Sequence, residues 1–209
     1  MHVVNKYFDN IFVISHPETE RHRIFLKNWD GLKFSQGRFV NKYIEVSKED
    51  NFATHVFKEF PKRIPLKDPL SNGQIACALA HMLIYKNIID NNLENTLILE
   101  DDATFITDQN LEKVLKEEFD ILQLWTINEF IREEIRPDTI SITNVFRERA
   151  SSYVIKNRIA AMELLMKQCN ALDTADGAII MADNLLFRAI IPSNCNITNG
   201  VSYIHDEIY

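Results

Sequence analysis

The sequence predicts an α/β protein in which a mostly parallel central sheet is flanked by helices. Short apolar runs rich in β-branched residues alternate along the chain with longer segments whose apolar residues repeat at helical spacing. The chain has 209 residues with only 5 Gly and 6 Pro, and we find no internal repeat and no domain boundary. This alternation is typical of an α/β sandwich, and the length fits one domain.

The composition excludes two broad classes of protein. Hydrophobic residues make up 46% and charged residues 25%, which is inconsistent with a disordered chain. The 23 Lys and Arg residues stand against 30 Asp and Glu residues, so the formal net charge is −7. An acidic chain is unsuited to coating nucleic acid, and we expect no nucleic-acid partner.

The cysteines and the apolar runs indicate a cytoplasmic setting. Cys77, Cys169 and Cys195 are widely spaced, with no C-x-x-C, so the pattern supports neither a disulfide framework nor a thiolate zinc site. No apolar run approaches the roughly 18 residues of a membrane span. Residues 1–10 lack the basic-then-apolar order of a signal peptide.

The first elements are a strand, a helix and a second strand. Residues 11–15 (IFVIS) form a short apolar run, which predicts a strand. Pro17 suits the first turn of a helix that we expect to continue to Trp29. Residues 38–46 then have a strand-like pattern.

The clearest helix is predicted to begin at Ser71. Ser71 and Gln74 have the spacing of a capping box, and Leu70 and Ile75 stand where a hydrophobic staple places its two residues. Apolar residues then follow helical spacing down one face, at Ile75, Ala78, Leu79, Met82, Tyr85 and Ile89. Asn91 and Asn92 provide the expected end of this helix.

The second part of the chain continues the alternation. We predict strands at residues 96–100, 119–125, 151–155 and 197–204, helices at 111–118, 158–169 and 182–188, and irregular structure at 126–141. The strand at 96–100 (TLILE) is apolar until its last residue, as a strand covered on both faces should be.

An acidic cluster, Glu100-Asp101-Asp102, directly follows this apolar run. In open α/β sheets ligands bind beyond the carboxyl ends of the strands. Strand periodicity points Glu100 and Asp102 to one side and Asp101 to the other. Converging carboxylates suit Mg²⁺ or Mn²⁺, which commonly complete their coordination with substrate phosphates. The alternative is a solvated acidic turn without a ligand.

A signalling receiver domain also places acidic residues after its buried first strand. Such a domain needs a phosphorylatable Asp after its third strand, near residues 142–149, and a Lys after its fifth strand. Residues 142–149 (ITNVFRER) contain no Asp, and no Lys follows Lys167. The sequence therefore excludes this class.

Several segments together resemble glycosyltransferase family 25, the lipopolysaccharide-type family that includes collagen galactosyltransferases. The segments, in family order, are IFVISHPETERHR, LSNGQIACALAH (residues 70–81), LILEDD (residues 97–102), FDILQLW, SSYVIKNRIAAMELL and ADNLLF. The resemblance covers about residues 10–192, and the second and third segments are its most specific part.

The resemblance implies a GT-A-like fold that transfers a hexose, most often galactose, from a UDP-sugar with inversion. The implied acceptor is a glycan or glycolipid such as lipooligosaccharide, and peripheral association with the inner face of the membrane fits such an acceptor. Residues 1–125 would form the nucleotide-binding half of a single domain (residues 1–209), and residues 126–209 an abbreviated acceptor-side half. The oligomeric state is left open.

The resemblance also implies a cofactor and roles at the acidic cluster. The cofactor would be Mn²⁺ or Mg²⁺, with Asp102 as its main ligand. Glu100 would face the ribose or a metal-bound water and serve as a second ligand, and Asp101 would line the donor site. His205, near the end of the chain, could supply a third ligand, as C-terminal histidines do in some GT-A enzymes; the alternative is a tail residue without a role.

Other candidate residues come from the matching segments. Asp183 is the candidate base that would remove the acceptor proton; its alternative role is to cap the helix predicted at 182–188. Gly73 and His81 lie in the second segment and are candidates for the donor site, although a buried, hydrogen-bonded structural histidine is the favoured interpretation of His81. Arg21 suits diphosphate oxygens.

Three further residues have competing interpretations. Arg23 could also meet a diphosphate, or it could lie on a solvated helix face. Trp29 and Trp125 could stack on a sugar, but core packing is the simpler interpretation.

Two other functions remain as alternatives. Gln74, Ala80 and Ala182 depart from the family pattern, which motivates a catalytically degenerate nucleotide-sugar-binding protein. A nucleotidyltransferase would need a Gly- and Lys-rich phosphate loop after the first strand, and HPETERHR contains no Gly.

Overall fold

The computed structural model describes most of the first strand–helix unit, the central helix and the strands around it. The described residues are 1–15, 19–38, 72–125, 139–141, 150–170, 179, 182–190 and 194–197. The strands are β1 (Ile11–Ser15), β2 (Ser35–Arg38), β3 (Thr96–Glu100), β4 (Ala103–Phe105), β5 (Ile121–Gln123), β6 (Thr139–Ser141), β7 (Ser152–Ile155), β8 (Phe187–Ile190) and β9 (Cys195–Ile197). The helices are a 3₁₀ helix (Val3–Lys6), α1 (Glu20–Asn28), α2 (Asn72–Asn91), α3 (Leu111–Val114) and α4 (Arg158–Asn170).

Seven of these strands form one open sheet in the order β2-β1-β3-β7-β5-β8-β6, while β4 and β9 pair separately. Strands β1, β2, β3, β5 and β8 run in one direction, and β6 and β7 run in the other. The predicted α/β class is confirmed. The sheet is mixed rather than mostly parallel at its centre, because β7 lies antiparallel between β3 and β5.

The sheet is covered on both faces. On one face, α2 and α4 pack on a cluster that includes Tyr85, Ile98 and Tyr153. On the other, the 3₁₀ helix, α1 and α3 pack on a cluster that includes Trp29 and Leu99. Neighbouring β3 residues face opposite clusters, so β3 is buried on both sides, as its apolar sequence predicts.

Helix α1 begins later than predicted. Thr19 is its N-cap, and the Thr19 Oγ1 accepts a hydrogen bond from the backbone N–H of His22 at 3.2 Å. This side-chain cap places the first helical residue at Glu20, later than the predicted start. Pro17 itself lies outside the described residues.

Helix α2 ends at the predicted asparagines. Asn92 adopts a left-handed backbone conformation, with φ 51°, and the N–H of Leu93 donates to the Ile88 carbonyl at 3.0 Å. Asparagine tolerates this conformation and closes the helix. The capping residue proposed for the other end, Ser71, lies outside the described residues. Among the helices that the structure describes, none has the length and apolar character needed to cross a bilayer.

Several other predicted elements are confirmed or corrected. The strands at 96–100 and 151–155 and the helix at 158–169 are confirmed, and the strand at 119–125 is confirmed at its centre, as β5. The helix at 111–118 ends at Val114, and β6 lies within the segment predicted to be irregular. The strand predicted at 38–46 corresponds to β2 only at Arg38, and 39–46 lie outside the described residues, as do 198–204.

The helix predicted at 182–188 is wrong. Residues 182–185 form a turn closed by the Leu185 N–H to Ala182 carbonyl hydrogen bond of 3.1 Å, and β8 follows. Phe187 pairs with Ile121 of β5, so this apolar run is a buried strand. Short apolar runs do not distinguish strand from helix by periodicity, and sheet pairing decided the outcome.

Candidate active site

The acidic cluster lies where β3 ends, and its three carboxylates face two different helices. Glu100 is the last residue of β3, and Asp101 and Asp102 form the turn that follows. Glu100 contacts α2 through His81, whereas Asp101 contacts α1 through Arg21. The predicted alternation between Glu100 and Asp101 is therefore confirmed.

A chain of buried hydrogen bonds holds Glu100. Its Oε1 lies 3.1 Å from His81 Nε2, and His81 Nδ1 lies 2.7 Å from the Tyr153 hydroxyl. The Tyr153 hydroxyl in turn lies 2.9 Å from the Tyr85 hydroxyl. His81, Tyr153 and Tyr85 are 0% exposed, so these three side chains are closed to solvent.

The chemistry of each group determines which atom donates and which accepts in this chain of hydrogen bonds. An ionised carboxylate only accepts hydrogen bonds, so His81 Nε2 donates to Glu100. In the neutral ring Nδ1 then accepts from Tyr153, and Tyr153 accepts from Tyr85. Burial alone would raise the pKa of Glu100, but the hydrogen bond from His81, its electrostatic attraction to the carboxylate and the charge of Arg21 outweigh burial, so the pKa is lowered. The chain thus stabilises Glu100 as a carboxylate.

Arg21 holds the other side of the cluster. Its Nη2 lies 2.6 Å from Asp101 Oδ1 and 3.6 Å from Asp102 Oδ2. The turn is fixed by the Asp101 N–H, which donates to the Ile14 carbonyl of β1 at 3.1 Å. Because α1 follows β1, this bond brings Arg21 and the turn together. Arg21 therefore contacts both Asp101 and Asp102, although the sequence predicted that these two residues point to opposite sides.

Negative charge is crowded at Asp102. Burial and the neighbouring charge of Glu100 raise the pKa of Asp102 to about 7, against the opposing effect of Arg21. A divalent cation would remove this repulsion, and carboxylate oxygens are the ligands that Mn²⁺ and Mg²⁺ prefer. The residues present therefore fit such a cation, with Asp102 and Glu100 as ligands.

Comparison with known proteins decides the family. The model of glycosyltransferase family 25 (LPS biosynthesis protein) matches residues 8–174, which include the acidic cluster and all of α2. The chain belongs to glycosyltransferase family 25. The resemblance seen in the sequence is thus confirmed, and membership supports a transferase that moves a sugar from a donor to an acceptor.

Curated relatives match this family 25 protein over a short stretch. Procollagen galactosyltransferase 2 of Mus musculus and that of Homo sapiens are each 49% identical to it over 37 residues. That stretch is 18% of this chain and 6% of either relative, so the chain spans a small part of their length.

The other arginine and the tryptophans of the family 25 protein have structural positions. Arg23 is exposed and pairs with Glu20 at 2.9 Å, as expected for a solvated helix face. Trp29 is buried, and its Nε1 donates to the Ala103 carbonyl at 2.8 Å. Trp125 is half-buried at the edge of the same cluster. The core interpretation of Trp29 is confirmed.

Among the remaining candidates, Asp183 lies away from Glu100. Asp183 is exposed and precedes β8, which begins at the end of the sheet where β3 also begins, opposite to Glu100. Residues 184–190 form part of a turn and β8, not a helix, so the capping role of Asp183 is excluded, and its role as base stays a prediction. Gly73 lies in the first turn of α2, one turn before Cys77. His205 lies outside the described residues.

The residues that sequence reasoning missed are Cys77, Tyr85 and Tyr153. Cys77 Sγ lies 3.7 Å from Glu100 Oε1, beside the bond from His81. The spacing of Cys77 and His81 by one helical turn was a usable signal, since such residues share a face. Tyr153 lies on β7, 72 residues from His81, and no local pattern connects the two.

Proposed function

We propose that this protein is a metal-dependent, inverting glycosyltransferase that transfers a hexose, galactose in the first instance, from a UDP-sugar to a glycan acceptor. Membership of family 25 supports sugar transfer, and the local similarity to procollagen galactosyltransferase 2 favours galactose. The single observation that carries the proposal is the carboxylate cluster at the end of β3, with one carboxylate held by His81 and another by Arg21.

If the diphosphate of a donor binds at the acidic cluster, the negative charge of the cluster requires a cation. Glu100, Asp101 and Asp102 would repel the donor phosphates, and Arg21 carries a single positive charge. Mn²⁺ or Mg²⁺ bound by Asp102 and Glu100 would offset the charge of the diphosphate and of the departing UDP. His205 is proposed as a further ligand.

The chain's own residues orient this site. Arg21 contacts Asp101 and Asp102, and its guanidinium would carry the positive charge nearest to the phosphates of a donor bound at the acidic cluster. His81 is buried, so we propose that it acts through Glu100, as a positioning residue, rather than by touching the donor. Gly73, at the start of α2, is proposed to lie along the donor.

Transfer with inversion is a single in-line displacement. An acceptor hydroxyl oxygen forms a bond to the anomeric carbon while the bond from that carbon to the diphosphate oxygen breaks. The electron pair of that bond leaves with UDP, and the hydroxyl proton passes to a general base. We propose Asp183 as this base on the family pattern alone, because its position before β8 does not by itself favour the role.

Thermal stability measured with different nucleotides tests donor binding. A ligand that binds only the folded state raises the melting temperature. UDP with Mn²⁺ should raise it far more than GDP with Mn²⁺, and Asp102→Asn should abolish the difference. Arg23→Gln, at an exposed position of the same helix as Arg21, is the matched control and should keep it. Equal shifts for UDP and GDP would contradict a UDP-sugar site at this corner.

Turnover separates an enzyme from a degenerate binding protein, the alternative that the departures at Gln74 and Ala80 suggest. Hydrolysis of UDP-galactose with Mn²⁺ should fall by about 10²–10³ in Asp102→Asn, the size of effect seen when one electrostatic contact to the transition state is removed. Specific UDP binding without turnover of any UDP-sugar would favour the degenerate protein. Retained transfer to an acceptor in Asp183→Asn would exclude Asp183 as the base.

The acceptor is proposed to be the glycan of a lipooligosaccharide or a related glycolipid. The family description, which refers to LPS biosynthesis, supports this class. Such an acceptor would place the protein in the cytoplasm, at the inner face of the membrane. Sedimentation with vesicles that contain the glycolipid, compared with vesicles that lack it, measures this association.

A further inference from the structure

We propose that Cys77, His81 and Glu100 form a second metal site, selective for a softer divalent cation such as Zn²⁺. This cluster lies on the α2 side of β3, away from Arg21 and Asp101. It requires no contribution from the glycosyl donor, and it shares Glu100 with the proposed Mn²⁺ site.

The three ligand atoms are already close together. They lie within 4.8 Å of one another, with Cys77 Sγ 3.7 Å and His81 Nε2 3.1 Å from Glu100 Oε1. Cys77 and His81 are one turn apart on α2, so a rigid helix presents both to the end of β3. A metal ion between them needs small side-chain adjustments and no movement of the backbone elements.

The ligand types select against Mn²⁺ and Mg²⁺. Thiolate and imidazole are ligands of Zn²⁺, whereas Mn²⁺ and Mg²⁺ favour sites made of oxygen alone. Binding would release the Cys77 proton to solvent, and the thiolate and the Glu100 carboxylate would then neutralise the two charges of the ion. A neutral assembly is suited to a place where Cys77 is 7% and His81 0% exposed.

The hydrogen bonds behind His81 form the outer shell that such a site needs. Metal-bound histidine usually donates its other ring N–H to a fixed acceptor, which holds the ring in place. With Nε2 on the metal, Nδ1–H would donate to the Tyr153 hydroxyl 2.7 Å away, and Tyr153 would donate to Tyr85. The hydrogen-bond chain that serves Glu100 in the metal-free protein would thus reverse its direction by reorienting the hydroxyl hydrogens, with the heavy atoms of the two tyrosines in place.

Glu100 links this cluster to the proposed Mn²⁺ site, because its carboxylate is a ligand in both. Zn²⁺ bound to Cys77 and His81 would draw Glu100 towards α2. Its side chain is 17% exposed, so a water molecule could occupy the coordination position that the three protein ligands leave open.

Cobalt absorption spectroscopy tests the site directly. Co²⁺ is the probe, because thiolate coordination gives a sulfur-to-metal charge-transfer band that carboxylate coordination does not give. We expect one equivalent of Co²⁺ to produce this band in the reduced wild-type protein without nucleotide, and Zn²⁺ to displace it. Cys77→Ser should lose the band, and Cys169→Ser, the matched control on α4, should keep it. No band in the wild type, or a band that survives Cys77→Ser, would overturn the proposal.

Two further variants make the test independent of how well Cys77→Ser folds. In Cys169→Ser/Cys195→Ala, Cys77 is the sole thiol, so the band should persist, and its disappearance would overturn the assignment. Tyr153→Phe removes the acceptor for Nδ1–H and should weaken Co²⁺ binding by about 10–100-fold, the usual effect of losing an outer-shell partner. Unchanged affinity would contradict coordination by His81. None of these measurements requires turnover, so they stand even if the proposed function fails.

Discussion

The two faces of β3 differ in chemical character, because one is apolar and the other is polar. On the side of α1, Leu97 and Leu99 meet Phe25 and Trp29 in an apolar and aromatic cluster. On the side of α2, Ile98 is followed by Glu100, and four polar side chains are joined through buried hydrogen bonds. One strand therefore divides a face that chiefly stabilises the fold from a face that orients a carboxylate.

This difference has energetic consequences. Apolar packing is the sum of many weak contacts, so the loss of a side chain costs stability in proportion to the contacts that it made. In a buried polar chain, each missing partner also leaves a desolvated donor or acceptor. We therefore expect substitutions on the apolar face to change stability alone, and those on the polar face to change the behaviour of Glu100 as well.

Trp29→Ala should have the largest effect. Trp29 is 2% exposed, stacks on Phe25 at 5.7 Å between ring centroids, and hydrogen-bonds to Ala103. Truncation should lower the free energy of unfolding by about 3–5 kcal/mol. Urea denaturation measures this loss, and half-buried Trp125→Ala is the control with a smaller one. Equal losses at the two positions would show that the α1 face is not the more tightly packed.

The free energy of unfolding should depend on pH through Asp102, which belongs to the acidic cluster. The pKa of Asp102 is raised to about 7 in the folded protein, above its ordinary value in the unfolded chain. Its contribution to stability is thus fully present below the unfolded pKa and is lost as the pH rises through about 7. In metal-free protein the loss should be on the order of 2–4 kcal/mol.

The measurement is the free energy of unfolding of wild-type and Asp102→Asn protein across this pH range. The variant lacks the titrating group, so its stability relative to wild type should increase with pH. Exposed Asp183→Asn is the control and should show no such trend. A constant difference between wild type and Asp102→Asn would mean that Asp102 is not crowded by Glu100. The pKa of Glu100 is lowered, so Glu100 contributes with the opposite sign and below that range.

The difference between the two faces of β3 also explains which features the sequence could predict. β3, α2 and the position of the acidic cluster followed from local patterns, because apolar runs and caps act over a few residues. The partners of Glu100 did not, since Tyr153 reaches His81 only after β7 is inserted between β3 and β5. The prediction of a helix at 182–188 was wrong for the same reason, because pairing with β5 overrode a helix-like pattern. Sheet order is a property of the whole chain, and the chemistry of this site depends on it.

Tyr153→Phe and Tyr85→Phe together should show how the polar face is organised. Tyr153 lies in the middle of the chain, so its hydroxyl serves both His81 Nδ1 and Tyr85. Its removal leaves His81 Nδ1 without that donor and should cost about 1–3 kcal/mol. Tyr85 lies at the end, and loss of its hydroxyl should cost about 0.5–1.5 kcal/mol.

A double-mutant cycle measured by urea denaturation checks this arrangement. Once Tyr153 is Phe, the hydroxyl of Tyr85 no longer reaches His81 through it, so the two losses should not add. Additive losses would indicate that the four side chains do not act as one chain.

Arg21→Gln should cause the smallest change in free energy. It should change the binding affinity for two ligands in opposite directions. Arg21 lies 2.6 Å from Asp101 and 3.6 Å from Asp102, so it would compete with a cation in the proposed site. Its removal should strengthen binding of Mn²⁺ alone by roughly fivefold, the size expected from ~1 kcal/mol of screened charge interaction. In the proposed site, binding of UDP in the presence of Mn²⁺ should weaken, because a phosphate contact is lost. Titration calorimetry measures both, and Arg23→Gln should alter neither. A parallel change for the two ligands would mean that Arg21 acts only by holding the turn, and the α1 side of β3 would then be structural in all its parts.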